Sequence, residues 1–340
     1  MSYEKSIVAG HPDVIAYEAF EEDFLDRLLL HLIRECNRRI YLFDICCGSG
    51  RLHLRYGLKT ATKESLSKED ANRLEYTRAI HHSSAFDPYL ANGLSSIHGI
   101  DFSAEMIKLA KAKLMSAGLE VSLENKLTFE EGSAFDLAPL KDDPLPVLVT
   151  VCNSIGVMQG SQGAMELFQS LRRAVDKAGG IAIISAYRKE AVKTFGLGNY
   201  ESTMNVSGQP FWLTPDTFAS PDYLQITRNY KRAYDTASNI VVDVFDREDN
   251  LVKKKHILTR NEESVRETVE TGHIRTHSGY ESNWYSFNQF EQWIDEYWPD
   301  GNTYHFAGRE FDVLRAEPAQ FAILDSGGLL KGFFERHCRQ

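Results

Sequence analysis

Five short, mostly apolar runs restrict the fold more than any other feature of this sequence. They are IYLFDI (Ile40–Ile45), SIHGID (Ser96–Asp101), LTFEEG (Leu127–Gly132), PVLVTVCN (Pro146–Asn153) and IAIISAY (Ile181–Tyr187). Runs of this length suit strands rather than helices, and their scarcity of polar alternation means that both faces are covered. The segments between them carry a helical period. After Asp101, Ser103 is placed to N-cap a helix whose apolar stripe is Met106, Leu109 and Leu114 and which Gly118 stops; MELFQSLRRAVDKAGG is a second amphipathic helix closed by a glycine pair. Strand alternating with helix predicts an α/β fold built on a doubly wound, mostly parallel sheet. A long amphipathic helix over 13–38, with Val14, Tyr17, Phe20, Phe24, Leu28 and Leu32 on one face, precedes it. Near the other end a helix in SFNQFEQWIDEYW and the strand-like NTYHFAG and AQFAILD bring the sheet to seven strands.

Two stretches exceed what a strand–helix unit needs. The polar segment 59–95 is longer than an ordinary connection and reads as an inserted helix or helix pair. Between 188 and 282 the pattern turns to long alternating segments, YLQITRNYKRAYD, NIVVDVFDREDNLVKKKHILTR and ETVETGHIRTHSG, which read as antiparallel strands joined by turns such as 246–250. The organisation expected is therefore an N-terminal helix and core over 1–187, a β-rich covering insertion over 188–282, and a closing helix and strands over 283–340.

Charge and cysteine use narrow the function classes. Lys and Arg number 38 against 48 Asp and Glu, a net charge of −10, which disfavours a phosphate polymer as partner and argues for no nucleic acid. Five cysteines, two of them adjacent (Cys46 and Cys47), form neither a disulfide framework nor a CxxC metal site. With no apolar leader-like start and no membrane-length apolar window, the expectation is a cytoplasmic protein of a reducing compartment with no membrane partner.

The first apolar run ends in CCGSG. Gly48 and Gly50 let the backbone approach a ligand closely, and the helix that follows offers unpaired N–H groups to an anion. A tight connection with no ligand would look the same. The dinucleotide fingerprint requires a third glycine where this chain has His53, and no GxxxxGK is present. The more specific signal is Asp101, which ends the second run just before a helix N-cap. In a doubly wound sheet that places a carboxylate beside the glycine turn, at the switch point, where it can accept from two vicinal ribose hydroxyls. A helix-capping acid is the alternative role.

FDICCGSG (Phe43–Gly50), IHGIDFSAEMIKLAKAKL (Ile97–Leu114), LTFEEGSAFDL (Leu127–Leu137), PVLVTVCNSIGVM (Pro146–Met158) and AGGIAIIS (Ala178–Ser185) together resemble the successive motifs of class I S-adenosylmethionine-dependent methyltransferases. The resemblance implies a Rossmann-like seven-stranded sheet, S-adenosylmethionine as cofactor and S-adenosylhomocysteine as product. Position by position, it implies that Asp44, Cys46, Gly48, Ser49 and Gly50 cradle the methionine half, that Asp101 binds the ribose, and that Phe102 and Met106 line the adenine. Ser133, Ala134 and Phe135 would border the adenine; Asn153, which follows the fourth strand, is read either as lying near the methyl or as a turn-forming Asn. Cys46 stands where the family has its first glycine. Ser133 replaces an acid that often follows the third strand, with Asp136 as a possible substitute. The placement of the extra structure resembles the small-molecule branch, and CNSI stands where nucleic-acid amino-methylating members carry an Asn/Asp-Pro-Pro-Tyr type motif.

Methyl transfer from a sulfonium is an in-line displacement, so the protein must chiefly position the reactants and exclude water. An oxygen or nitrogen nucleophile also loses a proton, and His273, His277 and Tyr280 of TGHIRTHSGY, with Asn153, are the catalytic candidates. On a strand His273 and His277 share a face with Arg275. A base beside an anion-binding Arg, a histidine metal pair and two solvated histidines remain open readings, and the site expected is metal-free. Tyr17 and Tyr187 are read as a lid and a pocket wall, or as core. Trp212, Trp284 and Tyr285 are read as substrate contacts or packing anchors. The function expected is methylation of a small-molecule acceptor, with a homodimer allowed. Its rivals are methylation of protein or RNA, a non-catalytic S-adenosylmethionine-binding scaffold, and a nicotinamide oxidoreductase that His53 disfavours.

Overall fold

The computed structural model describes residues 12–63, 66–81, 84–119, 126–191, 230–235, 240–247, 250–257, 271–275, 281–308 and 319–337. Its elements in chain order begin with α1 (Pro12–Arg34), β1 (Ile40–Ile45), α2 (Arg51–Thr60), α3 (Lys68–Ile80), α4 (Pro88–Gly93), β2 (Leu94–Asp101), α5 (Ala104–Ser116) and β3 (Leu127–Glu131). They continue with β4 (Leu145–Thr150), α6 (Gly160–Val175), β5 (Ile181–Tyr187), β6 (Tyr230–Asp235), β7 (Ile240–Arg247) and β8 (Asn250–Ile257). The last are β9 (His273–Arg275), β10 (Glu281–Asn283), α7 (Phe287–Tyr297), β11 (Asn302–Ala307), β12 (Ala319–Asp325) and α8 (Lys331–His337).

Seven strands make one sheet in the order β11-β12-β5-β4-β1-β2-β3. β1 pairs in parallel with both β2 and β4, and the parallel set extends to β3 and β5. The order reverses at β1, which has β2 on one side and β4 on the other, and this is the switch point where doubly wound sheets bind ligands. Burial follows position in the sheet. Every residue of β4 and β12 is buried, whereas the edge strand β3 is half-exposed or exposed throughout, so the apolar runs are those that helices cover on both faces. The doubly wound, mostly parallel seven-stranded sheet expected from the sequence is the sheet found.

The chain divides into two units, and the larger (Asp23–Ser185, Glu291–Phe306, Phe321–Gln340) contains most of the sheet. Its aromatic core gathers Phe24 with Phe306, Phe321 and Phe333 at ring-centroid distances of 4.9 to 6.0 Å. α2 is buried on nearly all sides, because the 59–95 segment supplies α3 and α4 beside it. Arg78 of α3 donates to the carbonyls of Leu58 and Ala61 (2.8 and 2.6 Å), satisfying carbonyls that the end of α2 leaves open. On the α1 side, Arg55 and Lys59 both reach Asp26 at 2.6 Å. The site-bearing helix is thus held from two directions. The stripe of α5 differs from the expected one by a residue: Ile107, Ala110 and Leu114 are buried, while Met106 and Leu109 are only half-buried. The N-cap Ser103, which accepts from the Met106 N–H, starts the helix where expected, and the Met106 terminal methyl lies by Gly48 of the turn.

The second unit (Met1–Glu22, Ala186–Phe290, Ala307–Gln320) includes the antiparallel sheet β6-β7-β8 and the antiparallel pair β9-β10. β7 and β8 pair in antiparallel register out to Arg247 opposite Asn250; residues 248 and 249 of the expected turn lie outside the described residues. Tyr187 sits between two rings, Tyr17 at 4.7 Å and Trp284 at 4.6 Å. Tyr17, Trp284 and Tyr285 are buried, so these three act as packing anchors in this unit; Trp212 lies outside the described residues. Among the described residues no helix is long and apolar enough to cross a membrane.

Candidate functional site

Where β1 ends, the backbone turns through left-handed conformations at Cys46 (φ 60), Gly48 (φ 53) and Gly50 (φ 76). Glycine adopts such angles freely, whereas at Cys46 the Cβ costs about 1–2 kcal/mol. Two backbone bonds hold the turn: Cys47 N–H donates to the Ile100 carbonyl and Gly50 N–H to the Cys47 carbonyl, both at 2.9 Å. A third bond joins it to the predicted acid. Asp101 Oδ2 accepts from Gly48 N–H at 2.9 Å, and Oδ1 accepts from Ser103 N–H at 2.9 Å. One buried carboxylate therefore ties the turn after β1 to the entry of α5. A carboxylate has about four acceptor positions, so two N–H donors leave roughly half of its capacity for a ligand.

The remaining cofactor candidates fall on the same edge of the sheet, at the C-terminal ends of β1 to β4. Met106 places its terminal methyl by Gly48, where an added Cβ would lie 3.5 Å from it. Ser49 is buried and its hydroxyl accepts from Lys113 Nζ at 2.7 Å. Phe102, next to Asp101, is 80% exposed, unusual for so large an apolar side chain. After β3, Gly132 N–H donates to the Asp101 carbonyl at 3.0 Å, bringing Ser133, Ala134 and Phe135 alongside β2. Ser133 Oγ accepts from Phe135 N–H at 3.2 Å, a local turn that occupies the hydroxyl, and Asp136 is exposed. After β4, Cys152 (φ 57) and Asn153 (φ 55) are both left-handed, and Asn153 is buried at the start of a short 3₁₀ turn.

Beneath the turn lies an arrangement that motif reading did not reveal. Asp44 is 2% exposed and its Oδ1 makes no hydrogen bond; its Oδ2 lies 3.6 Å from Nδ1 of His53, which is fully buried. His53 Nε2 is 3.2 Å from the Thr128 carbonyl, and the ring stacks on Phe129 with centroids 4.0 Å apart. A Cβ on Gly99 would meet His53 Cε1 at 2.6 Å and Cys47 Sγ at 2.9 Å. Here the small residue that admits helix α2 against the sheet is on the strand, and the helix contributes an imidazole. The sequence signal for this was Gly99 within the otherwise bulky SIHGID run.

The thiols of the turn are held protonated. Burial, reinforced by Asp101 and Asp44, pushes Cys46 up to about 12, and the same causes raise Cys47 further. Of the catalytic candidates, His273 is half-buried on β9, paired with Asn283 of β10; His277 and Tyr280 lie outside the described residues. His81 is exposed. Among the described residues no group of three or more His, Cys, Asp or Glu could hold a metal ion.

No family model and no curated protein matches this chain. Solved structures with a similar course of chain include an S-adenosylmethionine-dependent methyltransferase from Clostridium acetobutylicum ATCC 824, at 12% identity over 96% of each chain with a TM-score of 0.44. The CcbJ methyltransferase from Streptomyces caelestis is 11% identical, covering 94% of this chain and 93% of its own, with a TM-score of 0.42. The methyltransferase domain of bacterial CtHen1 is 10% identical over 91% and 99%, with a TM-score of 0.41. Likenesses at this level decide neither activity nor substrate, which must be judged from the site.

Proposed function

We propose that this chain is an S-adenosylmethionine-dependent methyltransferase acting on a small-molecule acceptor. The observation that carries the reading is the Asp101 carboxylate, fixed by Gly48 N–H on one oxygen and Ser103 N–H on the other, with acceptor capacity left over beside a left-handed glycine turn. Vicinal ribose hydroxyls suit that remaining capacity, and the exposed Phe102 ring beside it offers an apolar face to an adenine. Asp44 Oδ1, buried and without a hydrogen bond, suits the ammonium of a methionine moiety. The residues present therefore fit the cofactor.

When bound there, S-adenosylmethionine supplies a methyl group already activated on a sulfonium. The chain's residues have to orient the donor, exclude water and, for a protonated nucleophile, take up a proton. Positioning of this kind is worth roughly 7–11 kcal/mol. Asp101 and the Gly48–Gly50 turn would fix the ribose and methionine ends, and Asn153, buried after β4, is the proposed contact nearest the reacting methyl. His273, with His277 and Tyr280, is the proposed source of a base. The net charge of −10 supports a metabolite over a phosphate polymer as acceptor.

Methyl-labelled S-adenosylmethionine incubated with the protein and a cell extract, then fractionated, tests both parts. Label in the low-molecular-weight fraction supports the reading. Label in protein or RNA overturns the small-molecule assignment, and no label in any fraction overturns turnover.

A further inference from the structure

Of the three lysines on α5, Lys108 and Lys111 are exposed, whereas Lys113 is half-buried. Its Nζ donates to the hydroxyl of Ser49, the buried residue in the middle of the Gly48–Gly50 turn, at 2.7 Å. Holding a lysine stem in one conformation costs rotamer entropy, and two structural explanations fall short of accounting for it. The turn is already held without the lysine, by Cys47 N–H on the Ile100 carbonyl, Gly50 N–H on the Cys47 carbonyl and Gly48 N–H on Asp101. Nor is the ammonium placed to suit a helix dipole. It ends beside the start of α2, where a cation is disfavoured, and that helix opens with Arg51 and has no acid in its first turn.

The charges around the turn give the lysine a role. Asp44 and Asp101 both act on the turn electrostatically, since each disfavours the Cys46 thiolate. Two acids suit an ammonium and ribose hydroxyls, but they repel a third carboxylate, and the methionine half of S-adenosylmethionine carries one. A cation at the turn offsets that repulsion. We infer, on the basis of the function proposed above, that Lys113 is a positioning residue which acts through Ser49 to admit and orient the carboxylate of the cofactor's methionine half. The ammonium ends on Ser49 Oγ, so its charge acts across that hydroxyl, which it polarises into a stronger donor. Lys113 thereby selects a cofactor that keeps its amino-acid carboxylate over one that lacks it.

Calorimetric titration of the full chain with two ligands that differ only in this carboxylate tests the role. They are S-adenosylhomocysteine and its decarboxylated analogue, S-adenosyl-3-thiopropylamine. The wild type should prefer the carboxylate-bearing ligand. Lys113→Met, and Lys113→Gln, which keeps a donor for Ser49 but no charge, should each cut that preference by about tenfold. Both should bind the decarboxylated analogue much as the wild type does, and Lys113→Arg should retain the preference. If Lys113→Met does not fold, the Gln and Arg variants carry the comparison. A lysine that only braces the turn would, when replaced, weaken both ligands alike and leave the preference unchanged. That result, or a wild type with no preference for the carboxylate, would overturn the inference while leaving the cofactor reading intact. Absence of binding by either ligand to the folded wild type would overturn the cofactor reading and the inference with it.

Discussion

Gly48 and Gly50 occupy similar backbone conformations two residues apart, yet alanine should affect them differently. At Gly50 (φ +76) a Cβ would meet the Ala110 Cβ at 3.0 Å and the Phe129 ring at 3.1 and 3.3 Å, all side chains packed between helix and sheet. Left-handed strain of about 1–2 kcal/mol and overpacking of about 1–3 kcal/mol add, less roughly 0.5 kcal/mol for a stiffer unfolded chain, giving a loss of about 1.5–4.5 kcal/mol for Gly50→Ala. At Gly48 (φ +53) the nearest atom is the Met106 methyl at 3.5 Å, an ordinary contact with the end of a flexible side chain. Gly48→Ala should therefore cost only about 1 kcal/mol in stability. It puts a methyl group on the turn where a ligand must come close, so its main effect should be on binding. Urea denaturation of both variants, paired with calorimetry against S-adenosylhomocysteine, separates the two. The reasoning is refuted if Gly50→Ala is as stable as the wild type, or if Gly48→Ala loses stability while binding normally.

Asp101→Ala should weaken binding of S-adenosylhomocysteine by about 2–4 kcal/mol, roughly 30- to 1000-fold, through loss of two charge-assisted bonds; unchanged affinity would remove Asp101 from the site. Because burial beside two acids raises Cys46 to about 12, only about one thiol in ten thousand is ionised at pH 8, so iodoacetamide should label Cys46 far more slowly than a free cysteine. The rate should climb as pH approaches that value, and peptide mass spectrometry reads it. Asp325 is buried and its carboxyl is held above the ordinary range mainly by burial, against the opposing backbone N–H bonds of 327–330. A raised acid favours the fold while protonated and loses that contribution as pH rises through its folded value. Asp325→Asn, which can still accept from Leu330 N–H, should therefore be at least as stable as the wild type at pH 7. Its advantage should shrink toward pH 4 in thermal melts, and a growing advantage would contradict this.

The sheet was legible because its signal is local. An apolar run covered on both faces reads the same in one dimension as in three, and β4 and β12 contain no exposed residue. Asp101 was legible for a related reason: strand end, acid and Ser103 N-cap are contiguous, and the parallel order brings them to the Gly48 turn. Three features were not legible. The buried face of α5, Ile107, Ala110 and Leu114, lies one residue from the expected stripe because both stripes fit a period of 3.6. The Asp44–His53 contact joins residues nine apart through a space that Gly99 leaves on a neighbouring strand, and no local rule couples those positions. The Lys113–Ser49 bond spans 64 residues. Of the aromatic anchors, Tyr17 and Trp284 close on Tyr187, and only packing, not periodicity, distinguishes that role from a pocket wall.

The central claim, that the Gly48–Gly50 turn and Asp101 form an S-adenosylmethionine site, meets its most direct test in a calorimetric titration of the intact protein with S-adenosylhomocysteine alongside NADH. The account predicts one saturable site for S-adenosylhomocysteine, abolished or strongly weakened in Asp101→Ala, and no heat of binding with NADH. Binding of NADH, or no binding of S-adenosylhomocysteine to a folded protein, would contradict it.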